Sequence, residues 1–198
     1  MKLNTVERAL MNNPVRAAHQ HHREGAWFRR LAGGDLAGQH VLEVGCGRGV
    51  GAEVILDRLG AAEVTAFDLD ESMVDLASKR LRGRPVSVSV GDVCEIAVPA
   101  AGVDTVVDFG IIHHVPGWQL AVAEIARVLR PGGLLLFEEV PRRMLDSWAF
   151  RTFTVHPQEN RFEADEFGAE LARNGLHGTG RIEGHLGGMV FVGAARKT

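Results

Sequence analysis

A doubly wound, mostly parallel α/β sheet with helices on both faces is the fold this sequence predicts, on three observations. Strand-like apolar runs alternate with stretches of helical periodicity from about residue 40 to residue 140, and such alternation builds βαβ units around a parallel sheet. Val41, Leu42, Glu43 and Val44 run straight into Gly45, Gly47 and Gly49, and then into Val50, Ala52, Val54, Ile55, Leu56 and Leu59 at helical spacing. A buried strand therefore reaches a tight turn and becomes a helix. Each successive strand also ends in a carboxylate: Glu43, Asp68, Asp92, Asp108 and the pair Glu138-Glu139. In an open α/β sheet, ligands bind at those ends, near the point where strand order reverses.

The 198 residues, 45% of them hydrophobic, suit a single domain with a substantial core. It divides into an N-terminal helical arm (1–38), a sheet core (39–140), and a substrate-side insert with a C-terminal hairpin (141–198). No apolar run approaches the ~20 residues of a membrane span, and no charged start leads into an apolar signal segment. Two cysteines, Cys46 and Cys94, are too few for a disulfide framework and point to a reducing cytoplasm. The net charge of −3 argues against wholesale phosphate binding. Its distribution is uneven: residues 1–30 carry six Lys/Arg against two Glu, a net of +4, which leaves −7 for the rest.

In chain order, Val6 to Met11 predicts a short helix broken by Asn12-Asn13-Pro14. A second helix from about Arg16 to Leu31 gathers Trp27, Phe28 and Leu31 at its end, and Gly33, Gly34 and Gly38 deliver the chain to the first strand. Glu63 to Phe67 reads as a strand ending in Asp68-Leu69-Asp70. Glu71 to Leu81 reads as a helix, with Asp70 as its N-cap and Met73, Leu76 and Ala77 turned inward. Pro85 to Val90 and Val103 to Phe109 are strands, closed by Gly91-Asp92 and by Gly110. Trp118 to Leu129 is a helix stopped by Pro131-Gly132-Gly133. The nearly all-apolar Leu134 to Val140 suits a central parallel strand. Beyond it the alternation ceases. Arg142-Arg143 and the aromatic run Trp148, Phe150 and Phe153 precede an amphipathic helix, Phe162 to Asn174, with Phe167 and Leu171 inward and Gly175 as its C-cap. Leu176–Glu183 and Met189–Ala195, linked through Gly187-Gly188, predict two antiparallel strands, since so short a link cannot hold a crossover helix.

The amides of the glycine turn and the N-terminus of the following helix make a binding site. A carboxylate about twenty residues further on, Asp68, can take both hydroxyls of a ribose. These features do not separate NAD from other adenosyl cofactors. Counted from Gly45, the dinucleotide fingerprint fails at Val50; counted from Gly47, it passes as Gly47-x-Gly49-x-x-Ala52. Ligand charge decides better. A pyrophosphate would be repelled by the acidic strand ends, whereas a sulfonium with an ammonium tail would be held by them. That favours S-adenosylmethionine (SAM). Two alternatives stay open. One is a NAD(P)-binding oxidoreductase, although a chain with no Tyr cannot hold the Tyr–Lys pair of short-chain dehydrogenases. The other is a SAM-binding protein of non-methylating chemistry.

Val41 to Gly49, Asp68, Gly91-Asp92-Val93, the run Phe109 to Pro116, and Val128-Leu129-Arg130-Pro131-Gly132-Gly133 stand in that order. Together they resemble the class I SAM-dependent methyltransferases, especially the small-molecule branch similar to the ubiquinone and menaquinone biosynthetic enzymes. The resemblance covers residues 38–140 closely and the C-terminal hairpin loosely. It implies a seven-stranded sheet with an antiparallel last strand, methyl transfer from SAM to a small molecule, and release of S-adenosylhomocysteine (SAH). It also implies roles. Gly45, Cys46 and Gly47, with Gly49 completing the turn, would line the methionine part of SAM, and Glu43 would orient its ammonium group. Asp68 would bind the ribose hydroxyls, Leu69 would lie against the adenine, and Met73 would share the cofactor side. Asp92 would accept a hydrogen bond from the adenine amine with Val93 beside it, and Phe109 and Gly110 would close the site.

Methyl transfer asks a protein mainly to align the acceptor and exclude water, which can be worth ~7–11 kcal/mol. For a hydroxyl, amine or acidic carbon, a general base adds ~10²–10⁴-fold. His113, His114, Glu139 and His156 are the candidates. Against them, an imidazole can simply bond the local turn, and Glu139 can be a rim charge that helps hold a cation. Cys46 reads as a small turn residue. No metal is expected: His19 and His22 can share a helix face, but they read as solvent-facing or lid histidines. Nucleic acid is not an expected partner, since no base-flipping motif follows strand four and the site face is acidic. The acceptor is expected between the arm and Pro141–Phe162. There Trp27, Phe28, Trp148, Phe150 and Phe153 offer an apolar wall, and Arg23, Arg142, Arg143 and Arg151 offer positive charge. The rival is an arm that rests on a membrane surface and a lipid acceptor.

Overall fold

In the computed structural model, which describes residues 13–146, 159–180 and 182–198, the apolar runs pair as the alternation predicts. Strands β1 (His40–Val44), β2 (Glu63–Asp68), β3 (Val86–Val90), β4 (Val103–Phe109) and β5 (Leu129–Glu139) are parallel, in the spatial order β3-β2-β1-β4-β5. Strand order therefore reverses between β1 and β4, with Val44 opposite Phe67 on one side and Asp108 on the other. Beyond β5 lie β6 (Leu176–Gly178), β7 (Glu183–His185) and β8 (Val190–Lys197). β8 runs antiparallel to β5, and β6 and β7 both pair antiparallel with its far edge.

The central strands β1, β4 and, from Leu134 on, β5 are buried on both faces, and their side chains alternate between two cores as a period of two requires. Val41, Val107, Leu134 and Leu136 face one core; Leu42, Val106, Leu135 and Phe137 face the other. The first is covered by α2 (Gly25–Ala32) through Phe28, by α3 (Val50–Asp57) through Val54 and Ile55, and by Ala77 of α4 (Glu71–Arg80). The second is covered by α5 (Trp118–Val128) and α7 (Ala164–Arg173). There Phe162 stacks on Phe167 with ring centroids 4.9 Å apart, and Trp118, Phe137 and Phe191 surround them. A short helix, α6 (Arg142–Leu145), follows β5, and α1 (Pro14–His19) opens the described chain.

Several expected boundaries shift for physical reasons. The arm helix is not uniform, because a π turn at Gln20–Glu24 joins α1 to α2. Leu76 is 46% exposed instead of inward, since α4 sits at the outer part of the sheet, against β2 and β3, and buries only the stripe Met73–Ala77. α5 stops at Val128, three residues ahead of Pro131: Leu129 is already extended and pairs with Val103, and a register shift within β5 carries the pairing on to Leu134 opposite Thr105. The expected strand Leu176–Glu183 is split into β6 and β7, which gives eight strands among the described residues, with two of them sharing one edge. Gly178 and Gly180 stand where the split falls, and glycine weakens a strand interior. The helix predicted at Val6–Met11 and the side chains Trp148, Phe150, Arg151, Phe153 and His156 lie outside the described residues. No helix among the described residues is long and apolar enough to cross a membrane.

Candidate functional site

A cavity of about 270 Å³ opens over the carboxyl ends of β1, β2 and β4, where strand order reverses. Its floor is the glycine turn. The Cys46 N–H donates to the Phe67 carbonyl at 2.9 Å, tying the turn to β2. The Gly47 N–H donates to Asp68 Oδ2 at 2.8 Å, and Asp68 Oδ1 accepts the Asp70 N–H at 2.9 Å. Asp68 thus braces the turn it faces. Burial raises its pKa, opposed by the Asp70 and Gly47 amides.

Glu43 comes up through this floor. It is 1% exposed, and burial, reinforced by the Asp68 charge, holds its carboxyl well above the usual carboxylate range. The Ala52 amide at the start of α3 partly offsets that cost. Its Oε2 is buried and has no partner among the described residues. A buried acceptor left in that state costs about 1–3 kcal/mol, so the site calls for a donor or cation from outside the protein. Gly51 makes the arrangement fit. A Cβ there would overlap Glu43 Oε1 and stand 2.7 Å from the Phe109 ring. At Gly47 the opposite holds: its φ is +51° and nothing lies within 4 Å of where a Cβ would go, so the backbone is bare towards the cavity.

The expected cofactor residues gather here. Glu43, Gly45, Cys46 and Gly47 line the cavity from β1 and its turn. Asp68, Leu69 and Met73 line it from β2 and α4, Asp92 and Val93 from the end of β3, and Phe109 and Gly110 from the end of β4. Leu69 is 42% exposed, an apolar surface turned to an open space. Gly49 is not brought to the cavity. It caps α3 with φ +85° and packs on Ala77 and Leu81, so its task is joining α3 to α4. Burial, with the Glu43 and Asp68 charges, pushes the Cys46 thiol up, which suits a small turn residue and not a nucleophile. Cys94 is a free thiol as well.

The candidate bases separate. His114 lines the cavity. His113 is buried and turned beneath it, with Nδ1 2.5 Å from Glu139 Oε2. Glu139 is fully buried and also accepts the Ile112 N–H at 2.7 Å and the His113 N–H at 3.2 Å. It therefore fastens the loop after β4 from below and does not stand at the rim. Burial pushes its pKa up to about 7, relieved by a hydrogen bond from Asp108 and by those amides. Glu138 goes up to about 8, through burial and the Glu24 charge. Asp108 is held well above the carboxylate range by burial and by Glu139. Its Oδ1 accepts the Gly110 and Ile111 amides at 3.0 and 2.9 Å.

Periodicity and spacing do not point to the roof. Arg16, Ala17 and Gln20 of the arm close over the glycine turn. Arg16 is paired to the buried Glu24, which also takes His19 Nδ1 at 2.9 Å. His21 and His22 stand against Arg58. The second half of the arm is fastened far along the chain: Arg30 makes two hydrogen bonds to Glu183, and Trp27 lies 4.2 Å from the His185 ring. Gly51 had a signal, a third small residue at the start of an apolar helix facing a strand carboxylate. Arg16 had none.

Comparison with known proteins agrees with this geometry. Residues 42–137 match a family described as a methyltransferase domain. A probable SAM-dependent methyltransferase of Mycolicibacterium smegmatis is 41% identical over 119 residues, 57% of this chain and 45% of that protein. A fatty-acid O-methyltransferase of the same organism is 32% identical over 115 residues, 58% of this chain and 42% of that protein. The chain thus spans about half the length of the curated relatives it matches. A SAM-dependent methyltransferase from Aquifex aeolicus has the same fold, with a TM-score of 0.78 over the full length of both chains at 22% identity. The glycine turn, the orphaned carboxylate beneath it and the matched sequence all fall within one stretch of the sheet, and over that stretch, residues 42–137, the chain is similar to a methyltransferase domain.

Proposed function

We propose that this chain binds SAM in the cavity over the glycine turn and transfers its methyl group to a small-molecule acceptor, releasing SAH. The observation that carries the reading is the buried, unpartnered Oε2 of Glu43, an acceptor at the cavity floor that an ammonium group would satisfy. Bound there, SAM supplies a methyl group already activated by its sulfonium. The chain's residues do the rest. Gly47 leaves the backbone bare for close approach while Gly45 admits the Ile111 side chain against the turn, Asp68 offers its remaining lone pairs to ribose hydroxyls, Leu69 and Val93 flank the adenine, and Asp92 accepts from its amine. Phe109 and Gly110 close the floor beside Glu43, and the arm excludes water from above. His114 is the group placed to take a proton from an acceptor, while His113 and Glu139 hold the loop that carries it. His156 remains a second candidate base.

The acceptor side lies between the arm and the segment after Val140, within a single domain. A relative named as a fatty-acid O-methyltransferase supports an apolar acceptor. The acidic cavity supports a small molecule over nucleic acid. The basic arm keeps contact with a membrane surface as the second reading for delivery of a lipid acceptor. Two free thiols without a disulfide fit a cytoplasmic setting. Isothermal titration with SAM, SAH and NAD tests the assignment. SAM and SAH should bind at micromolar or tighter affinity and NAD should not; binding of NAD alone would reverse the reading.

A further inference from the structure

The acidic cavity accounts for the positive groups of SAM and leaves one negative group without an answer. Glu43, Asp68, Asp70 and Asp92 all line it. An α-amino acid end carries a carboxylate as well as an ammonium, and among four carboxylates that group would be repelled unless a cation met it. Two arginines line the same space, Arg16 from the arm and Arg48 from the glycine turn. Arg48, whose Nε is buried with no partner among the described residues, stands beside Arg80 and Glu53 and donates from Nη2 to the Asn13 carbonyl at 3.1 Å. That contact ties the start of the arm to the core.

Arg16 is differently placed. It reaches the cavity from above, next to Ala17 and Gln20, and its side chain is only 20% exposed. The π turn at Gln20–Glu24 brings Glu24, eight residues on, under the guanidinium. Glu24 is fully buried and holds one edge of that group. An arginine has five donors in a planar fork, so a guanidinium held on one edge still presents another to a second carboxylate. We propose that the arm is a cofactor-sensing lid in which Arg16 binds the α-carboxylate of SAM or SAH, with Glu24 as its positioning residue. The inference rests on the SAM reading above and deepens it. Closure of the arm then depends on the amino-acid end of the ligand, and an adenosyl compound without that end leaves the lid unsatisfied.

The pair of ligands that tests this is SAH and 5′-methylthioadenosine, which keeps the adenosine and the thioether and lacks the amino acid. Titration of the full chain should show that Arg16→Met weakens SAH at least tenfold and changes methylthioadenosine less than twofold, with partial recovery of SAH affinity in Arg16→Lys. Hydrogen exchange on the wild type provides a measurement that needs no variant: SAH should slow exchange across residues 13–24, and methylthioadenosine should not. Equal losses for both ligands, or none for either, would overturn the role of Arg16. So would equal protection by both ligands in the exchange experiment. If neither ligand bound the wild type, the SAM reading itself would fall and this inference with it.

Discussion

The chemistry of this site turns on a few side chains that each serve two masters. Asp68 braces Gly47 and Asp70 through their amides and still faces the cavity. Asp68→Ala removes a charged acceptor worth about 1.5–3 kcal/mol, so SAH affinity should fall by about 10- to 150-fold while circular dichroism stays near normal. Unchanged affinity by titration would remove Asp68 from the cofactor site. Gly51 is as demanding for a different reason, because any Cβ there collides with Glu43 and Phe109. Gly51→Ala should lose about 1–3 kcal/mol of stability by overpacking and also weaken SAH, since Glu43 must move. A urea midpoint equal to wild type would show that the carboxylate can yield without cost.

Among the elements, α7 shows how the second half of the chain is held to the first. Phe167 is fully buried between Phe162, Phe137, Trp118 and Phe191, and through Phe137 and Phe191 it meets β5 and β8. Phe167→Ala should cost about 3–5 kcal/mol, and Phe167→Leu markedly less, as read from urea unfolding. Losses below about 1 kcal/mol in the alanine variant would mean that α7 packs independently of that ring. The sequence makes this helix and its inward residues plain, because Phe167 and Leu171 repeat at helical spacing. The core strands are equally plain, since a parallel strand buried on both faces must be apolar throughout. What spacing does not reveal are contacts made across long separations. Nothing local tells that Arg30 will meet Glu183, that Leu76 will face solvent at a sheet margin, or that a π turn will interrupt the arm. The cavity-lining residues at strand ends, proposed to hold the cofactor, are legible because topology alone brings them together. Arg16 is hidden because its place depends on how a helix outside the sheet folds back.

At the scale of the whole molecule, the ends of β4 and β5 bury carboxylates at a cost that varies with pH. Glu138 at about 8 and Glu139 at about 7 are both raised in the folded state. Between the unfolded carboxylate range near pH 4.5 and those values, the folded protein keeps protons that the unfolded chain has released. Stability therefore declines as pH rises through that window and levels off above about 8. Glu138→Gln should raise the urea midpoint at pH 8.5 and change it much less at pH 5, so that the difference between the two proteins grows with pH. A difference that shrank with rising pH would contradict a protonated Glu138 in the native state.

The arm is anchored behind, where Arg30 and Trp27 meet Glu183 and His185, and roofs the cavity in front. The Arg48 hydrogen bond to the Asn13 carbonyl fastens the front end too, so the arm is a strap held at both ends with the π turn between them. On the proposed reading, each exchange of spent cofactor for fresh requires the front span to lift, so lifting would stand in series with methyl transfer, and the slower of the two would set the turnover rate. A roof that fits better would then also open more slowly, and the front span of the arm, more than the residues at the methyl group, would be the place where selection tunes the speed of the proposed reaction.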